Sequence, residues 1–365
     1  MASRIHENVQ EYYGSRLKSS EDLQTSAACC PLPGTPGLSS AAAAALKLLH
    51  PEVCRRYFGC GLSVPEKLEG CKVLDLGSGS GRDCYVLSKL VGSAGHVTGL
   101  DMTEELVCAS QKLVAHHQEK FGYEKPNVAF VQGYMEKLGE AGLRDDSMDI
   151  VVSNCVICLC PNKRVVLTEA YNVLKEGGEM YFSDMYSSRV VPETFKDDPV
   201  LWGEGMAGAL YWQDFISLAR EVGFSSPCLV AACHIKVHNA ELQKKTADVK
   251  YASGTYRLFK LPKTSLKQRA VVTYRGTVPD CAGRLDFDAT HRFQTGVAAE
   301  VDPEMADILR YSRFSSDFAI QVMGSSVSDG SAAQGCHLSP FLLADRLGAS
   351  VKLCSKAGQG FDCSE

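Results

Sequence analysis

An α/β fold with a doubly wound, largely parallel sheet is predicted for this chain, on three observations. Apolar runs of strand length alternate with helical periods between residues 72 and 183. A glycine-rich turn, Gly77-Ser78-Gly79-Ser80-Gly81, joins the first such run to a helix. Acids mark the first two runs, Asp75 within one and Asp101 at the end of the other. Together these make half of a nucleotide-binding unit. Glycines without Cβ let the backbone approach a ligand, and the free N–H groups of the helix start face it.

Taken in order, residues 72–76 read as a buried strand, followed by a helix with Tyr85, Val86, Leu87 and Leu90 on its apolar face. A second strand, 96–100, ends in Asp101. Thr103 is placed to cap a helix running to about Phe121, with Glu104 and Glu105 where the helix dipole favours acids. Strands are expected at 128–131, 148–153 and 179–183, with a helix at 163–174 stopped by Gly177-Gly178. Ligands in such a sheet lie at the C-terminal ends of the strands. Asn154-Cys155 and Gly133-Tyr134-Met135-Glu136 fall at such ends.

The glycine spacing narrows the ligand. A dinucleotide fingerprint reads G-x-G-x-x-G and seats a pyrophosphate on the helix start. Here the pattern is Asp75-x-Gly77-x-Gly79-x-Gly81. A carboxylate facing the loop repels a pyrophosphate and suits a cation such as the amino group of a methionine moiety. Asp101 can take both hydroxyls of a ribose, and an adenine can lie against Met135. The cofactor implied is S-adenosylmethionine, on a class I methyltransferase fold with a smaller α+β C-terminal region.

Composition sets wider limits. With 365 residues, 45% hydrophobic and 22% charged, the chain can bury an ample core. A net charge of −5 and the lack of any Lys/Arg block argue against nucleic acid as a partner. No apolar stretch suits a signal peptide or a membrane span, so a cytoplasmic protein is expected. The sixteen cysteines lack the spacing of a disulfide scaffold or a zinc ribbon. Most are expected to act as small buried hydrophobes, and Cys71, Cys84 and Cys108, within the strand and helices of the nucleotide unit, to be structural. His116-His117 is read as the solvated face of a charged helix.

Five regions are expected. Residues 1–70 form a helical lid segment carrying Tyr12, Tyr13 and Gly14 and the thiols Cys29, Cys30 and Cys60. Residues 71–185 are the cofactor domain, and 186–240 complete the fold around the acceptor. Residues 241–324 make the α+β region, and the Ser-, Gly- and Ala-rich 325–365 a disordered tail. Helices are expected at 38–49, 212–222 and 302–311, and strands at 228–237, 269–274 and 284–287.

Three thiol positions then suggest a reaction. Cys155 falls at the tip of the fourth strand, Cys60 between two glycines before the cofactor domain, and Cys29-Cys30 in a turn-rich segment. Thiols so placed suit a soft, electron-poor acceptor and need no general base. An O, N or C acceptor would need one, and Asp184 or His50 are the candidates. A binding protein without turnover is the third reading.

The chain also resembles the arsenite methyltransferases of animals. The likeness is carried by Val9-x-x-Tyr12-Tyr13-Gly14, Tyr57-x-Gly59-Cys60-Gly61, the block from Asp75 to Tyr85, and Gly133-Tyr134-Met135-Glu136-Lys137-Leu138. It continues through Ser153-Asn154-Cys155-Val156-Ile157, Tyr181-Phe182-Ser183-Asp184, Leu201-Trp202-Gly203-Glu204 and Gly208-Ala209-Leu210-Tyr211-Trp212, and covers roughly residues 1–320. It implies arsenite and methylarsenite as substrates, held by Cys60 and Cys155. Tyr13, Gly14, Asp75, Gly77, Gly79, Gly81, Asp101, Met102, Met135, Glu136 and Asn154 would bind S-adenosylmethionine. Cys29 or Cys30 would form a transient disulfide with a core thiol, reset by thioredoxin or glutathione. The chain departs from the family at position 205, where Gly205 stands in place of the third thiol ligand. Cys158 and Cys160 are the nearby thiols that could substitute.

Overall fold

The computed structural model describes residues 2–17, 22, 25, 39–55, 57, 59, 61–246, 248–323 and 336–348. Cys29, Cys30, Cys60, Cys354 and Cys363 lie outside them.

Among the described residues, three α-helices precede the sheet: α1 (Ala2–Glu11), which runs on as a π-turn over Tyr12–Arg16, α2 (Ser40–Leu46) and α3 (Pro51–Arg55). The alternation follows as β1 (Lys72–Leu76), α4 (Arg82–Val91), β2 (His96–Asp101), α5 (Glu104–Gln111), α6 (Val114–Phe121), β3 (Val128–Gln132) and β4 (Met148–Asn154). It continues through α7 (Lys163–Val173), β5 (Leu174–Ser187), α8 (Pro199–Gly203), β6 (Leu210–Tyr211), α9 (Trp212–Val222), β7 (Cys228–Ile235), α10 (Ala240–Lys245) and β8 (Tyr251–Phe259).

These strands form one sheet in the order β3-β2-β1-β4-β5-β8-β7, with β6 beside β5. The strands β1 to β5 are parallel, and β8 runs antiparallel to β5 and β7. Consecutive residues of a strand feed opposite faces. Leu74 and Val151 therefore join the core under α7 and α9, while Val73, Ile150 and Val152 join the core under α4. The order reverses between β1 and β4, which opens a crevice at their C-terminal ends.

The C-terminal module consists of β9 (Ala270–Tyr274), the hairpin β10 (Arg284–Asp286) and β11 (Arg292–Gln294), β12 (Ala298–Val301), α11 (Pro303–Tyr311) and β13 (Phe318–Val322). Its three-stranded sheet is ordered β12-β9-β13, over a separate core of Phe287, Phe293, Phe314 and Phe318. Asp302 caps α11 by accepting from Met305 N at 2.8 Å.

Several expectations need correction. The helix expected from 103 to 121 is broken at Lys112–Leu113 into α5 and α6. Thr103 occupies the cap position without capping, because its hydroxyl bonds Asp101 instead. The helix expected to include Leu174 stops at Val173, and Leu174 begins β5. The double glycine falls in an irregular stretch of β5, where the β4–β5 register shifts between Leu174 and Glu179, and Gly177 N donates to Lys260 O at 2.7 Å. Within the expected tail, α12 (Pro340–Gly348) packs on β7 and β8, with Leu338 and Leu343 in the main core. His117 is fully buried, stacked 3.7 Å from Tyr85. It accepts from His50 N and bonds Leu113 O, and burial lowers its pKa to about 4.

Candidate active site

A cleft of about 950 Å³ opens at the β1/β4 reversal. At one end the tips of β1 and β2 bring two acids together. Asp101 accepts from Gly79 N at 2.9 Å and from Thr103 N at 2.8 Å, which fixes its carboxylate at the turn. Gly79 is left-handed (φ 53), and a Cβ there would meet nothing within 4 Å, so the backbone at Gly79 is open to a close-lying ligand. Asp75 is buried and takes a hydrogen bond from the Cys84 thiol at 3.0 Å. Burial first, then the Asp83 carboxylate, push Asp75 up to about 7 against that bond. A buried acid in this state gains from a cation brought beside it.

Along the floor lie Met102, Met135, Glu136 and Asn154. His6 of α1 bonds Glu136 at 3.0 Å and packs on Tyr134, so the N-terminal helix forms a wall. The same segment is tied down by Gln10 to Met102 O (2.9 Å), Tyr12 to Glu204 (2.7 Å) and Tyr13 to Gly203 O (2.9 Å).

At the tip of β4 stand Asn154 and Cys155, both lining the cleft. Cys155 has φ 54, a strained value for a residue with a side chain, and it is disulfide-bonded. Asn154 Nδ2 donates to Tyr57 Oη (2.6 Å), Gly61 O (3.0 Å) and Asp83 (3.0 Å). Arg82 lies over the Tyr57 ring and donates to Gly61 O at 2.6 Å. Tyr57 and Gly61 are thereby pinned beside the tip of β4.

Most of the sequence-predicted residues meet here. Tyr13, Asp75, Gly77, Gly79, Asp101, Met102, Met135, Glu136, Asn154 and Cys155 all line the cleft. Gly14 and Gly81 do not. Gly81 instead starts α4 with φ 89, where a Cβ would strike the Phe130 ring. Sequence reasoning missed His6, Tyr57 and Asp83 as lining residues. Asp83 carried a signal as an acid in the first turn after the glycine block, and Tyr57 as part of a segment that carries the family likeness.

The substitute thiols are separated. Cys160 lines the cleft at the Met135 end, its Sγ 3.1 Å from Met135 Sδ. Cys158 faces a different, small pocket with Asp184 and Lys163. Burial and the Asp184 carboxylate push the Cys158 thiol well up. Gly205 has φ 78, and a Cβ there would come 2.9 Å from Cys158 Sγ. Neither Asp184 nor His50 lines the cleft.

Comparison with known proteins fits this geometry. Residues 67–223 match a methyltransferase domain and residues 267–365 an arsenite methyltransferase C-terminal domain. The chain is 48% identical to the arsenite methyltransferase of Rattus norvegicus, over 100% of this chain and 97% of that one. For the Homo sapiens protein of the same name the identity is 46%, over 99% and 97%. This chain belongs to the arsenite methyltransferase family.

A crystal structure of an arsenic(III) S-adenosylmethionine methyltransferase from Chlamydomonas reinhardtii has 44% identity and a TM-score of 0.74, covering 78% of this chain and 97% of its own. As a member of this family the chain is a methyltransferase whose cofactor is S-adenosylmethionine. The cleft fits that group: an acidic end without Cβ obstruction at Gly79, and a floor carrying the Met135 thioether.

Proposed function

We propose that the chain moves methyl groups from S-adenosylmethionine to trivalent arsenic, arsenite and methylarsenite, bound by cysteine thiolates. The observation that carries this reading is one cleft lined by carboxylates and by Cys155, and by neither candidate base. Bound there, S-adenosylmethionine supplies an electrophilic methyl group. Asp75 faces its ammonium, Asp101 its ribose, and Met135 and Glu136 the purine. Cys60 and Cys155 hold arsenic, whose remaining lone pair is the nucleophile. The protein's part is then proximity and orientation.

The bonded state of Cys155 supports the redox half of the reading. Two protein thiols, one of them Cys29 or Cys30, give up two electrons and two protons on closing a disulfide, and arsenic(V) takes the electrons to become arsenic(III). Thioredoxin or glutathione reopens the bond by exchange, releasing Cys155 for ligation. With Gly205 in place of a thiol and Cys158 turned to Asp184, the third valence is filled by a methyl group already on arsenic or by glutathione.

The test is turnover of S-adenosylmethionine by purified protein with arsenite and, separately, methylarsenite, each with and without thioredoxin or glutathione. Methylated arsenic formed only with reductant is expected. Undiminished turnover after Cys155→Ser would overturn the thiol mechanism.

A further inference from the structure

The segment joining the 57–61 loop to β1 is gripped from the C-terminal module. Arg313 donates from Nε and Nη2 to the Glu66 carbonyl, at 3.0 and 2.8 Å, and its Nη1 pairs with Glu179. Glu179 is fully buried on β5 and also takes Arg257 Nε at 2.5 Å. Arg257 Nη2 in turn lies 3.2 Å from the Glu66 carboxylate. The next residue, Lys67, reaches Asp317 at 2.5 Å and Ser316 at 2.8 Å. Asp317 is itself buried and accepts from Thr277 at 2.6 Å. Lys67 is held with φ 57, outside the range most side-chain-bearing residues adopt.

Buried charges are costly unless paired, and joining two modules does not call for them. These charges converge on two residues of one segment. A few residues upstream, the Gly61 carbonyl accepts from Arg82, Asn154 and Tyr57. Ser63 and Pro65 between them are buried, so a shift at Glu66 has little slack to absorb it before Gly61.

We infer that Arg313, with the Lys67–Asp317 pair beside it, is a positioning residue for methyl transfer. It fixes residues 62–67 and so registers Gly61 and Tyr57 against Asn154 and the tip of β4. The inference rests on the arsenic-methylation reading and gives the C-terminal module a part in it.

The experiment uses the full chain with reductant. It compares wild type, Arg313→Ala, Arg313→Lys and Lys67→Met for kcat and KM with arsenite, for S-adenosylmethionine Kd and for Tm. Arg313→Ala should lose about ten- to a hundredfold in kcat/KM for arsenite, the scale of a small misplacement. Cofactor Kd should change far less than kcat/KM, because Asp101 is held by Gly79 N and Thr103 N and Asp75 by the Cys84 thiol. Arg313→Lys should not rescue, because an ammonium lacks the parallel N–H pair. Lys67→Met should lose about threefold. If Arg313→Ala does not fold, the half-exposed Lys67→Met decides alone.

Unchanged arsenite kinetics in folded variants would overturn the inference, as would loss of cofactor affinity in step with activity. A wild type that turns over no arsenical would sink the underlying reading, and this inference with it.

Discussion

The carboxylate and sulfur parts of the cleft are built in opposite ways. The acid end is local: Asp75, Gly79 and Asp101 sit on two adjacent strands and the turn between β1 and α4, tied by Gly79 N and Thr103 N. The sulfur end is assembled from distant parts. Cys155 closes β4, and the loop beside it is held by Arg82 from α4 and, from behind, by Arg313. Fixed dipoles suffice for a cofactor that brings its own charge. An acceptor with no shape of its own needs ligands carried in from several directions and held there.

The largest test of this contrast is Cys155→Ser. It should lower methylation by roughly a hundredfold or more, the scale on which loss of positioning is felt. S-adenosylmethionine affinity, measured by calorimetry, should be unchanged. Equal losses in both would mean the two ends are not separable.

The acid end has its own signature in pH. With Asp75 at about 7, its carboxylate is mostly protonated at pH 6 and mostly ionised at pH 8. Cofactor affinity should rise by up to about fivefold from pH 6 to 7, the ionised fraction being what attracts the ammonium, and level off by pH 8, where an α-amino group loses its proton. Asp75→Asn should bind weakly at both values and flatten the profile. A profile that stays steep in that variant would place the titrating group elsewhere.

At the sulfur end, Gly205→Cys tests whether a missing thiol can be restored. The left-handed backbone costs a side-chain-bearing residue about 1–2 kcal/mol, and the new Cβ crowds Cys158 Sγ. A lowered Tm without gain in arsenite turnover is expected. Pairing it with Cys158→Ala should recover part of the stability. A fully stable, more active single variant would show that Cys158 yields easily.

The smallest effect lies outside the cleft. His117 is held neutral in the fold at a pKa lowered to about 4, so the unfolded chain binds the extra proton first as pH falls below about 6.5. Stability should therefore decline between pH 6.5 and 4, and less so in His117→Gln. Urea titrations at pH 7 and 5 measure the difference.

What could be read from the sequence follows the same division. The β1–turn–α4–β2 unit was legible because its signals are local periodicity, glycine spacing and two acids. His6 was not, because only tertiary packing of α1 brings it to the cleft, and Tyr57 was legible only through the family likeness. Composition concealed α12: Leu338 and Leu343 are anchors within a Ser-, Gly- and Ala-rich stretch. His117 shares a helical face with Val114 and Phe121, a period that points inward, but the neighbouring charges suggested water. The crowding of Gly205 by Cys158 depends on a backbone angle that no residue pattern announces.

The N-terminal segment has a kinetic consequence. Its ties to Glu136, Met102 O, Gly203 O and Glu204 span the cleft, from the floor to the residue preceding Gly205. Exchange of spent for fresh cofactor along this wall would break several of those bonds. A second methyl transfer to the same arsenic needs that exchange first. Each opening is then a branch point between release of a singly methylated product and a further round, and the ratio of products should follow the concentration of fresh cofactor.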